Sequence, residues 1–297
     1  MRTLWTNLGL DDFDGSEEPL AYTIGGDTPG QTADLNALYE IFHEQTKYHR
    51  ATSSGIAANI RAHLEHPDLV TRCVMGRHRR TGPGLALPAP LELTGDLASI
   101  LAKRVTKCRA ETERPMRAEV LSSLLHHSIH AQRSATPDLV PELTQYFRPY
   151  PSAGALYPCE IYIAISAVED LPAGWFRYDA IHHDLIGVSG HHPDGPEDCD
   201  FRAAEAGPPA SKPPACAIVI TSVFERSVRK YGMRGYRLAL IEAGHILQNL
   251  SLVAASLGLN GLVSASFHEA ELEALIGVDG VSEAVLASFL TGGSSDA

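Results

Sequence analysis

The sequence has few cysteines, and their spacing excludes two classes of protein. The five are Cys73, Cys108, Cys159, Cys199 and Cys216, an odd number with no CxxC pair among them. A disulfide framework needs an even set of cysteines, and a zinc finger needs closely spaced pairs. We therefore expect free thiols in a reducing compartment, which fits a cytoplasmic protein.

Positive charge is also scarce. The chain carries 24 lysines and arginines against 36 aspartates and glutamates, which gives a net charge of −12. Such a surplus repels a phosphate backbone, and no basic patch interleaved with aromatic residues offsets it. We therefore expect no nucleic-acid partner.

Long apolar runs are missing as well. Met1 is followed by Arg2 and a mixed, acidic start without the apolar core of a signal peptide. No segment reaches about 18 uncharged apolar residues, the length needed to cross a bilayer. These absences predict neither secretion nor a membrane span. The chain is instead long enough to bury about 75% of its unfolded surface in one large core or two modest ones.

The N-terminal part gives weak structural signals. Glycines scattered among acidic residues predict mostly loop over residues 1–33. From Asp34, apolar residues recur at helical spacing and predict an amphipathic helix to about Tyr48, and a second short helix is predicted over Ile56–Leu64.

A composition change then marks a boundary. Residues 77–90 are basic at first and then rich in glycine and proline, which predicts a linker wrapped over the main domain. We therefore expect a partly helical N-terminal extension over residues 1–90 and a main domain over residues 91–297. In the main domain, Asp96 is predicted to begin a helix.

Histidine-containing motifs raise the question of a metal site. His43 and Glu44 begin like the HExxH zinc motif, but Lys47 occupies the position of the second histidine. His126 and His130 lie four residues apart at the end of a predicted helix and could share a metal ion. No acidic or thiol residue lies near them in the sequence, so we predict a surface or interface role, as for His182–His183, and no metal site.

The most informative stretch is Arg148–Pro158, which reads RPYPSAGALYP. Pro149 and Pro151 fix their own φ and predict extended backbone around them. Ser152, Ala153 and Gly154 are small, and Gly154 tolerates positive φ, so their backbone amides can face a flat or anionic ligand. Composition alone also fits a loop that merely connects two elements.

A second informative block follows a predicted buried strand over Ala215–Val223. Phe224–Asn249 reads FERSVRKYGMRGYRLALIEAGHILQN. The helix predicted over Leu238–Leu257 is apolar on almost every side, which indicates that it is buried. Without further context, Lys230 and Tyr231 would be an exposed lysine and a half-buried tyrosine at the entrance of this helix.

These two blocks, in this order, resemble the SagB-type dehydrogenases, the azoline oxidases of thiazole/oxazole-forming peptide maturases. That group belongs to the FMN-dependent nitroreductase-like superfamily. The resemblance is weak from residue 34 and strong from residue 148 to about 290. It implies an α+β fold, with a mixed sheet flanked by helices and an N-terminal helical extension, in a homodimer that binds FMN.

The resemblance also implies roles for individual residues. Lys230 and Tyr231 would be the catalytic pair. The isoalloxazine ring would be contacted by the first loop and by a segment before the last helix, through Arg148, Pro151, Ser152, Ala153, Gly154, Val263, Ser264, Ala265 and Ser266. Relatives usually have Pro-Ile-x-Gly in the second segment, so Ser264 and Ser266 depart from the pattern.

A basic run, KRVTKCR, ends the helix that begins at Asp96. By itself it fits a solvated helix end. The resemblance implies that Arg104, Thr106 and Arg109 bind the flavin phosphate, although Val105 stands where serine is usual. Relatives also end with a cation that reaches the phosphate, and the C-terminal segment here has none.

Azoline oxidation, the reaction that the resemblance implies, gives Tyr231 of the catalytic pair an expected role. Oxidising an azoline to an azole removes one ring proton and one hydride, so a base must face the substrate. Nearby cations favour a phenolate, so Arg229 and Arg234 are expected to activate Tyr231 as that base.

The resemblance thus implies an FMN-dependent dehydrogenase that oxidises thiazoline or oxazoline rings of a ribosomally made precursor peptide, together with cyclodehydratase or synthetase partners. Two alternatives stay open: an NAD(P)H-dependent nitroreductase-like flavin reductase, and a non-catalytic scaffold of a peptide-modifying complex.

Overall fold

The structure is a computed structural model that describes residues 39, 41–47, 50–75, 82–106, 115–188, 201–204 and 214–292. Side chains are not described at positions 50–53, 73–75, 202 and 203. The predicted phosphate ligand Arg109 lies outside the described residues. So does most of the irregular stretch between residues 188 and 214.

The chain divides into two compact units, and the boundary lies between Lys47 and Tyr48. In the first unit, residues 41–45 are helical. The Thr46 hydroxyl donates to the Phe42 carbonyl oxygen at 2.6 Å and closes the last turn. The described part of the helix predicted from Asp34 to Tyr48 is therefore confirmed.

The second unit contains helices and strands in alternation. Among its described residues the α-helices are α1 (Arg50–Glu65), α2 (Pro67–Met75), α3 (Leu97–Lys103), α4 (Ala118–Ser128), α5 (Glu225–Tyr231), α6 (Arg234–Ser256) and α7 (Glu269–Ile276). The strands are β1 (Gly84–Ala86), β2 (Arg133–Ala135), β3 (Gln145–Phe147), β4 (Cys159–Ile165), β5 (Gly174–Asp179), β6 (Asp184–Gly187), β7 (Cys216–Val223), β8 (Gly261–Ser264) and β9 (Glu283–Thr291).

A seven-stranded sheet organises this unit, in the order β1-β6-β5-β4-β7-β9-β8. All pairings between its strands are antiparallel. Parallel pairing is confined, among the described residues, to isolated bridges at Thr106–Gly261 and Met116–Val168. The mixed character expected of the sheet is thus limited to these bridges, because the central neighbours β4 and β7 pair antiparallel over their whole length.

The sheet is the middle of three layers. Strands β4 and β7 are buried along nearly their whole length, which explains their unbroken apolar and β-branched sequences. One face packs on α4 and α6 through residues such as Leu121, Leu124 and Leu250. The other face packs on α7 and on the short 3₁₀ turn at 201–204. The α+β architecture expected from the sequence is therefore confirmed.

The boundary expected at residue 90 does not coincide with the structural division. Strand β1 pairs with β6 and so extends the main sheet. The Leu91 amide donates to the Ser123 hydroxyl of α4 at 2.7 Å. Helix α1 belongs to the same compact unit. The described part of the segment predicted to wrap over the main domain, residues 82–90, therefore packs on that domain, and its strand pairing with β6 is an addition to the prediction.

Helix α6 is only partly buried within one chain. Its inward residues include Ala239, Glu242 and Leu250, whereas Leu240 is 43% and Ile241 54% exposed. The sequence predicted burial of this helix in the core of a homodimer, and the single chain buries only its inward face. By length and composition α6 is also apolar enough to cross a membrane, but its packing on the sheet layer is that of a core helix.

Candidate active site

The loop at Arg148–Pro158 has the unusual backbone that its sequence predicts. Ser152 is extended, and Gly154 has φ +62°. Ala155 and Tyr157 also have positive φ, +49° and +45°. Left-handed conformations cost about 1 kcal/mol or more at non-glycine residues, and they concentrate at functional sites.

The Arg148 side chain holds this loop from inside the protein. Arg148 is 6% exposed. Its guanidinium donates to the Tyr150 hydroxyl at 2.8 Å and to the Cys159 carbonyl oxygen at 3.3 Å, and it lies 5.1 Å from the centre of the Tyr157 ring. Arg148 Nη1 thus faces the Tyr150 hydroxyl and the Cys159 carbonyl oxygen inside the protein, and the contact of Arg148 with a flavin stays a prediction.

A carboxyl group is buried behind the same loop. Glu242 of α6 is 1% exposed, and its Oε1 accepts the Cys159 amide at 3.2 Å. Burial raises the pKa of Glu242, although hydrogen bonds from Ser152 and Cys159 and the charge of Arg148 oppose that effect. The Ser152 hydroxyl also accepts the Tyr157 amide at 2.8 Å. Only the Ser152 backbone is therefore suited to contact a ligand outside the loop.

Helix α5 is fixed against the loop at its first turn. Arg226 forms an ion pair with Glu160 of β4 at 2.5 Å and donates to the Tyr157 carbonyl oxygen at 3.3 Å. Although burial alone would raise it, the pKa of Glu160 is lowered by the surrounding arginines, which keep this carboxylate charged. Gly235 allows α6 to lie against α5, because a Cβ there would come within 2.5 Å of the Ser227 backbone.

The last turn of α5 is capped by a residue from α1. Asn59 Nδ2 donates to the carbonyl oxygens of Arg229 at 2.7 Å and Lys230 at 2.9 Å. Carbonyls in the last turn of a helix lack intrahelical donors, so Asn59 stabilises the turn that carries Lys230. Sequence analysis missed Asn59, and no local motif marks it, because the contact joins residues 170 positions apart.

Lys230 and Tyr231 converge on Gly154. A Cβ placed on Gly154 would lie 2.5 Å from the Tyr231 hydroxyl oxygen and 2.9 Å from Lys230 Nζ. Lys230 is 7% exposed, and its Nζ lies 5.6 Å from the centre of the Tyr231 ring. The fold therefore brings the predicted catalytic pair to the predicted ligand loop. Gly154 itself is exposed, so the pair lies at a surface that a ligand can reach.

Arg229, one of the two cations expected to activate Tyr231, is paired with another residue. Arg229 donates from Nε and Nη2 to Glu225 Oε1, one helical turn earlier on the outside of α5. Lys230 Nζ lies 5.6 Å from the centre of the Tyr231 ring, so Lys230 brings a cation to the phenol. An i,i+4 pair on an exposed helix face accounts for the direction that Arg229 takes.

The remaining predicted contacts lie at the other edge of the sheet. Val263, Ala265 and Ser266 are exposed in and after the edge strand β8. Arg104 Nη1 donates to the Thr106 hydroxyl at 3.2 Å, and Thr106 bridges to Gly261 at the start of β8. A cavity of about 250 Å³ opens beside them between Lys103, Val105, Ser251 and Gly258.

Within one chain, the Gly154 loop and the Arg104–Thr106 segment lie apart. Gly261 pairs with Thr291, which pairs with Cys216 at the start of β7, whereas α5 follows Val223 at its end. Seven strand steps of about 3.3 Å separate the two ends of β7 by about 23 Å. The loop with Lys230 and Tyr231 therefore lies near one end of the sheet, and the Arg104–Thr106 segment lies near the other.

Residues 102–293 match the family model described as "Nitroreductase family". The chain belongs to the nitroreductase family. The match covers β2 to β9 and α4 to α7, including the loop with Gly154 and the residues Lys230 and Tyr231.

Three relatives agree with this assignment. The chain is 33% identical over 135 residues to MJ1384 of Methanocaldococcus jannaschii, which is named as a nitroreductase. It is 31% identical over 135 residues to the microcin B17-processing protein McbC of Escherichia coli. It is 26% identical over 176 residues to the trifolitoxin-processing protein TfxB of Rhizobium leguminosarum bv. trifolii. McbC and TfxB confirm the resemblance to peptide-processing members of the family.

These matches are partial. They cover 44%, 44% and 58% of this chain and 64%, 49% and 46% of MJ1384, McbC and TfxB. This nitroreductase-family chain thus matches less than two thirds of each relative's length, and their activities are carried over to it only as a proposal.

Solved structures confirm the fold. A structure from Anabaena variabilis described as a nitroreductase superposes with a TM-score of 0.58 at 23% identity, over 84% of this chain and 45% of that one. A chain of the E. coli microcin synthetase McbBCD complex with truncated pro-MccB17 bound superposes with a TM-score of 0.52 at 20% identity. The superposition covers 95% of this chain and 100% of that one.

Proposed function

We propose that this nitroreductase-family protein is an FMN-dependent dehydrogenase that oxidises azoline rings, thiazoline or oxazoline, in a ribosomally made peptide. The observation that carries the proposal is the convergence of Lys230 and Tyr231 on Gly154. The resemblance of both sequence blocks to azoline dehydrogenases supports it, as does similarity to proteins that process microcin B17 and trifolitoxin.

The residues present fit a flavin. Gly154 leaves open the space beside the Tyr231 hydroxyl that a side chain would fill, and Pro151 is exposed on the same loop. Gly154 and Pro151 would both lie against the planar ring system. Arg104 and Thr106 offer a cation and a hydroxyl for a phosphate, the donor types that bind phosphate strongly. We propose Pro151, Ser152, Ala153 and Gly154 as ring contacts and Arg104, Thr106 and Arg109 as phosphate contacts.

The chain's own residues would handle the proton. FMN, when bound, supplies the two-electron acceptor for the hydride that leaves the azoline ring. The Tyr231 phenolate oxygen would take the ring proton, and the Lys230 ammonium beside it would stabilise that phenolate. Because Lys230 is 7% exposed, its charge is screened little by water.

The site would be completed by a second copy of the chain. Exposed apolar residues lie on α6 and α3 and in the turn before α6, in the single chain: Met233 (54%), Leu240 (43%), Ile241 (54%), Leu97 (65%) and Leu101 (50%). Apolar side chains at this density mark an interaction surface. A homodimer would cover them. It would also bring the Arg104–Thr106 end of one chain to a flavin held by the loop of its partner, which one chain does not achieve.

A peptide carrying azoline rings tests the function directly. Wild-type protein is expected to remove two hydrogens per ring, measured by mass spectrometry, and to bleach its flavin under anaerobic conditions. Lys230→Ala and Tyr231→Phe should retain FMN and slow bleaching by about 10²–10⁴-fold, the range for loss of a positioned acid or base. Tyr146→Phe, in the separate β2–β3 hairpin, is the matched control and should leave the rate unchanged.

The alternatives give different results. Rapid bleaching by NADPH, without any effect of the azoline peptide, would favour a flavin reductase. Flavin-free protein that assembles with synthetase partners would favour a scaffold. A Lys230→Ala/Tyr231→Phe double variant as fast as wild type would contradict the assigned roles.

A further inference from the structure

Four histidines come together around the C-terminal end of α4. His126 and His127 lie in the last turn of α4, His130 lies just beyond it, and His183 lies in the turn between β5 and β6. The rings of His126, His130 and His183 form a nearly equilateral triangle, with centroid separations of 4.7, 5.2 and 5.1 Å. The sequence argument against a metal rested on the lack of a nearby third ligand, and the fold supplies one in His183.

The spacing of the ring nitrogens suits a metal ion. One nitrogen from each of His126, His130 and His183 lies within 4.8 Å of the others. Ligands at about 2.1 Å in a tetrahedral site lie about 3.4 Å apart. Small rotations of the side chains, without backbone movement, would therefore close the site.

Two of the three rings present a buried nitrogen with no hydrogen-bond partner. Nδ1 of His126 and Nδ1 of His130 are both in this state. A buried imidazole nitrogen without a partner costs free energy that a bound ligand would recover. His127 is different, because its Nε2 lies 2.8 Å from the Leu91 carbonyl oxygen. The geometry thus selects His126 and His130 and leaves His127 as a structural residue.

His183 is held by neighbours that would orient a ligand. Its Nε2 lies 2.8 Å from the Ser122 hydroxyl, which donates to the Pro88 carbonyl oxygen, and its Nδ1 lies 2.6 Å from the Tyr178 hydroxyl. His183 also has φ +57°, a left-handed conformation that its surroundings must stabilise. Ligating histidines commonly donate their second ring nitrogen to such a group. In the metal-bound form the Tyr178 hydroxyl would release Nδ1, and Nε2–H would stay on Ser122.

We propose that His126, His130 and His183 form a binding site for one divalent zinc-class ion, with water in the fourth position. Imidazole ligands favour Zn²⁺ among the common hard and borderline cations. The ion would fasten the end of α4 to the β5–β6 turn. Asn249 Nδ2 contacts the Ser128 carbonyl oxygen at 3.2 Å and the Pro149 carbonyl oxygen at 3.5 Å. The site would therefore stabilise the layer on which the Arg148–Pro158 loop rests, without touching Lys230 or Tyr231.

Zinc titration of untagged, chelator-treated full-length protein tests the site. Wild-type protein should bind one Zn²⁺ per chain in competition with a chromophoric chelator, and its melting temperature should rise with Zn²⁺. Co²⁺ should give visible bands of a nitrogen–oxygen site without thiolate charge transfer. His130→Asn and His183→Asn should each weaken binding by about 100-fold. Asparagine tolerates left-handed φ, so it preserves the turn at 183.

His66→Asn is the matched control. His66 is exposed between α1 and α2, and its substitution should leave zinc binding unchanged. Wild-type protein that binds no stoichiometric Zn²⁺, or thiolate bands in the Co²⁺ spectrum, would overturn the proposal even if the variants fold poorly. Equal zinc binding by the His130→Asn variant would also overturn it.

Discussion

A Cβ on Gly154 would lie 2.5 Å from the hydroxyl oxygen of Tyr231. The two residues are far apart in sequence, yet the loop before β4 and the helix after β7 meet because β4 and β7 are antiparallel neighbours. The loop before β4 and the Tyr231 hydroxyl therefore approach each other this closely because Gly154 has no side chain.

Gly154→Ala is expected to slow the proposed azoline oxidation. The new methyl group would displace the Tyr231 hydroxyl or the Lys230 ammonium, and φ +62° would add about 1–2 kcal/mol of strain. A displacement of about 1 Å at a reacting group can cost about 10²-fold in rate. Azoline-dependent flavin reduction should fall by that factor, as measured by stopped-flow absorbance. Gly55→Ala on α1, where a Cβ meets nothing within 4 Å, should keep the wild-type rate. A fully active Gly154→Ala variant would argue against catalysis at this contact.

Asn59→Ala is expected to lower the rate through the position of Lys230. It removes two hydrogen bonds to the last turn of α5, worth about 1–2 kcal/mol together. We expect kcat to fall about 10-fold with KM and FMN content unchanged, because Asn59 acts through Lys230. Asn59→Asp should be at least as slow, since a carboxylate cannot donate and is repelled by helix C-terminal carbonyls. Ser54→Ala, exposed on the same helix, is the control. A fall in melting temperature without a change in kcat would mean that Asn59 has only a structural role.

Glu242→Gln is expected to stabilise the protein increasingly as pH rises. Burial raises the pKa of Glu242, so the folded state binds this proton more tightly than the unfolded state. The stability from Glu242 is fully present below the ordinary pKa near 4.5 and is lost as pH rises toward the raised value. Each unit of pKa difference is worth about 1.4 kcal/mol.

The comparison is made by urea unfolding at several pH values. The difference in unfolding free energy, variant minus wild type, should grow between pH 4 and pH 8. Glu225→Gln, which removes an exposed carboxylate paired with Arg229, should change stability by less than about 1 kcal/mol. A Glu242→Gln variant that loses stability as pH rises would show that the ionised carboxylate is needed beside Arg148.

Ile241→Glu is expected to break the proposed homodimer. Ile241 is 54% exposed on α6 in the single chain, and a carboxylate buried in an apolar interface carries a large desolvation cost. Light scattering should report twice the chain mass of 32.0 kDa for the wild type and a monomer, with less FMN, for the variant. Val281→Glu, at a residue that is 80% exposed before β9, should remain dimeric. A wild-type monomer at micromolar concentration would contradict the dimer itself.

Local sequence was sufficient wherever the physical cause is local. Glycine at position 154 predicts positive φ. Asp96 was predicted to begin a helix, and its carboxylate accepts the Ser99 amide at 3.0 Å at the start of α3. The apolar run at Ala215–Val223 predicts a strand buried on both faces, and β7 is that strand. The pairing of Lys230 and Tyr231 with the loop came from resemblance to a known family, because no spacing rule connects residues so far apart.

Tertiary structure decided everything that depends on long-range pairing. Antiparallel contact between β4 and β7 brought Gly154 to Tyr231, and it turned Arg148 toward Tyr150 and Cys159 inside the protein. Asn59 reached α5, and His183 joined His126 and His130, across separations that leave no trace in local periodicity. Composition and pattern therefore determined which segments form strands, helices and a constrained loop. Only the packing of those segments determined which side chains share a site, because the interactions that select one arrangement arise between residues that the sequence keeps apart.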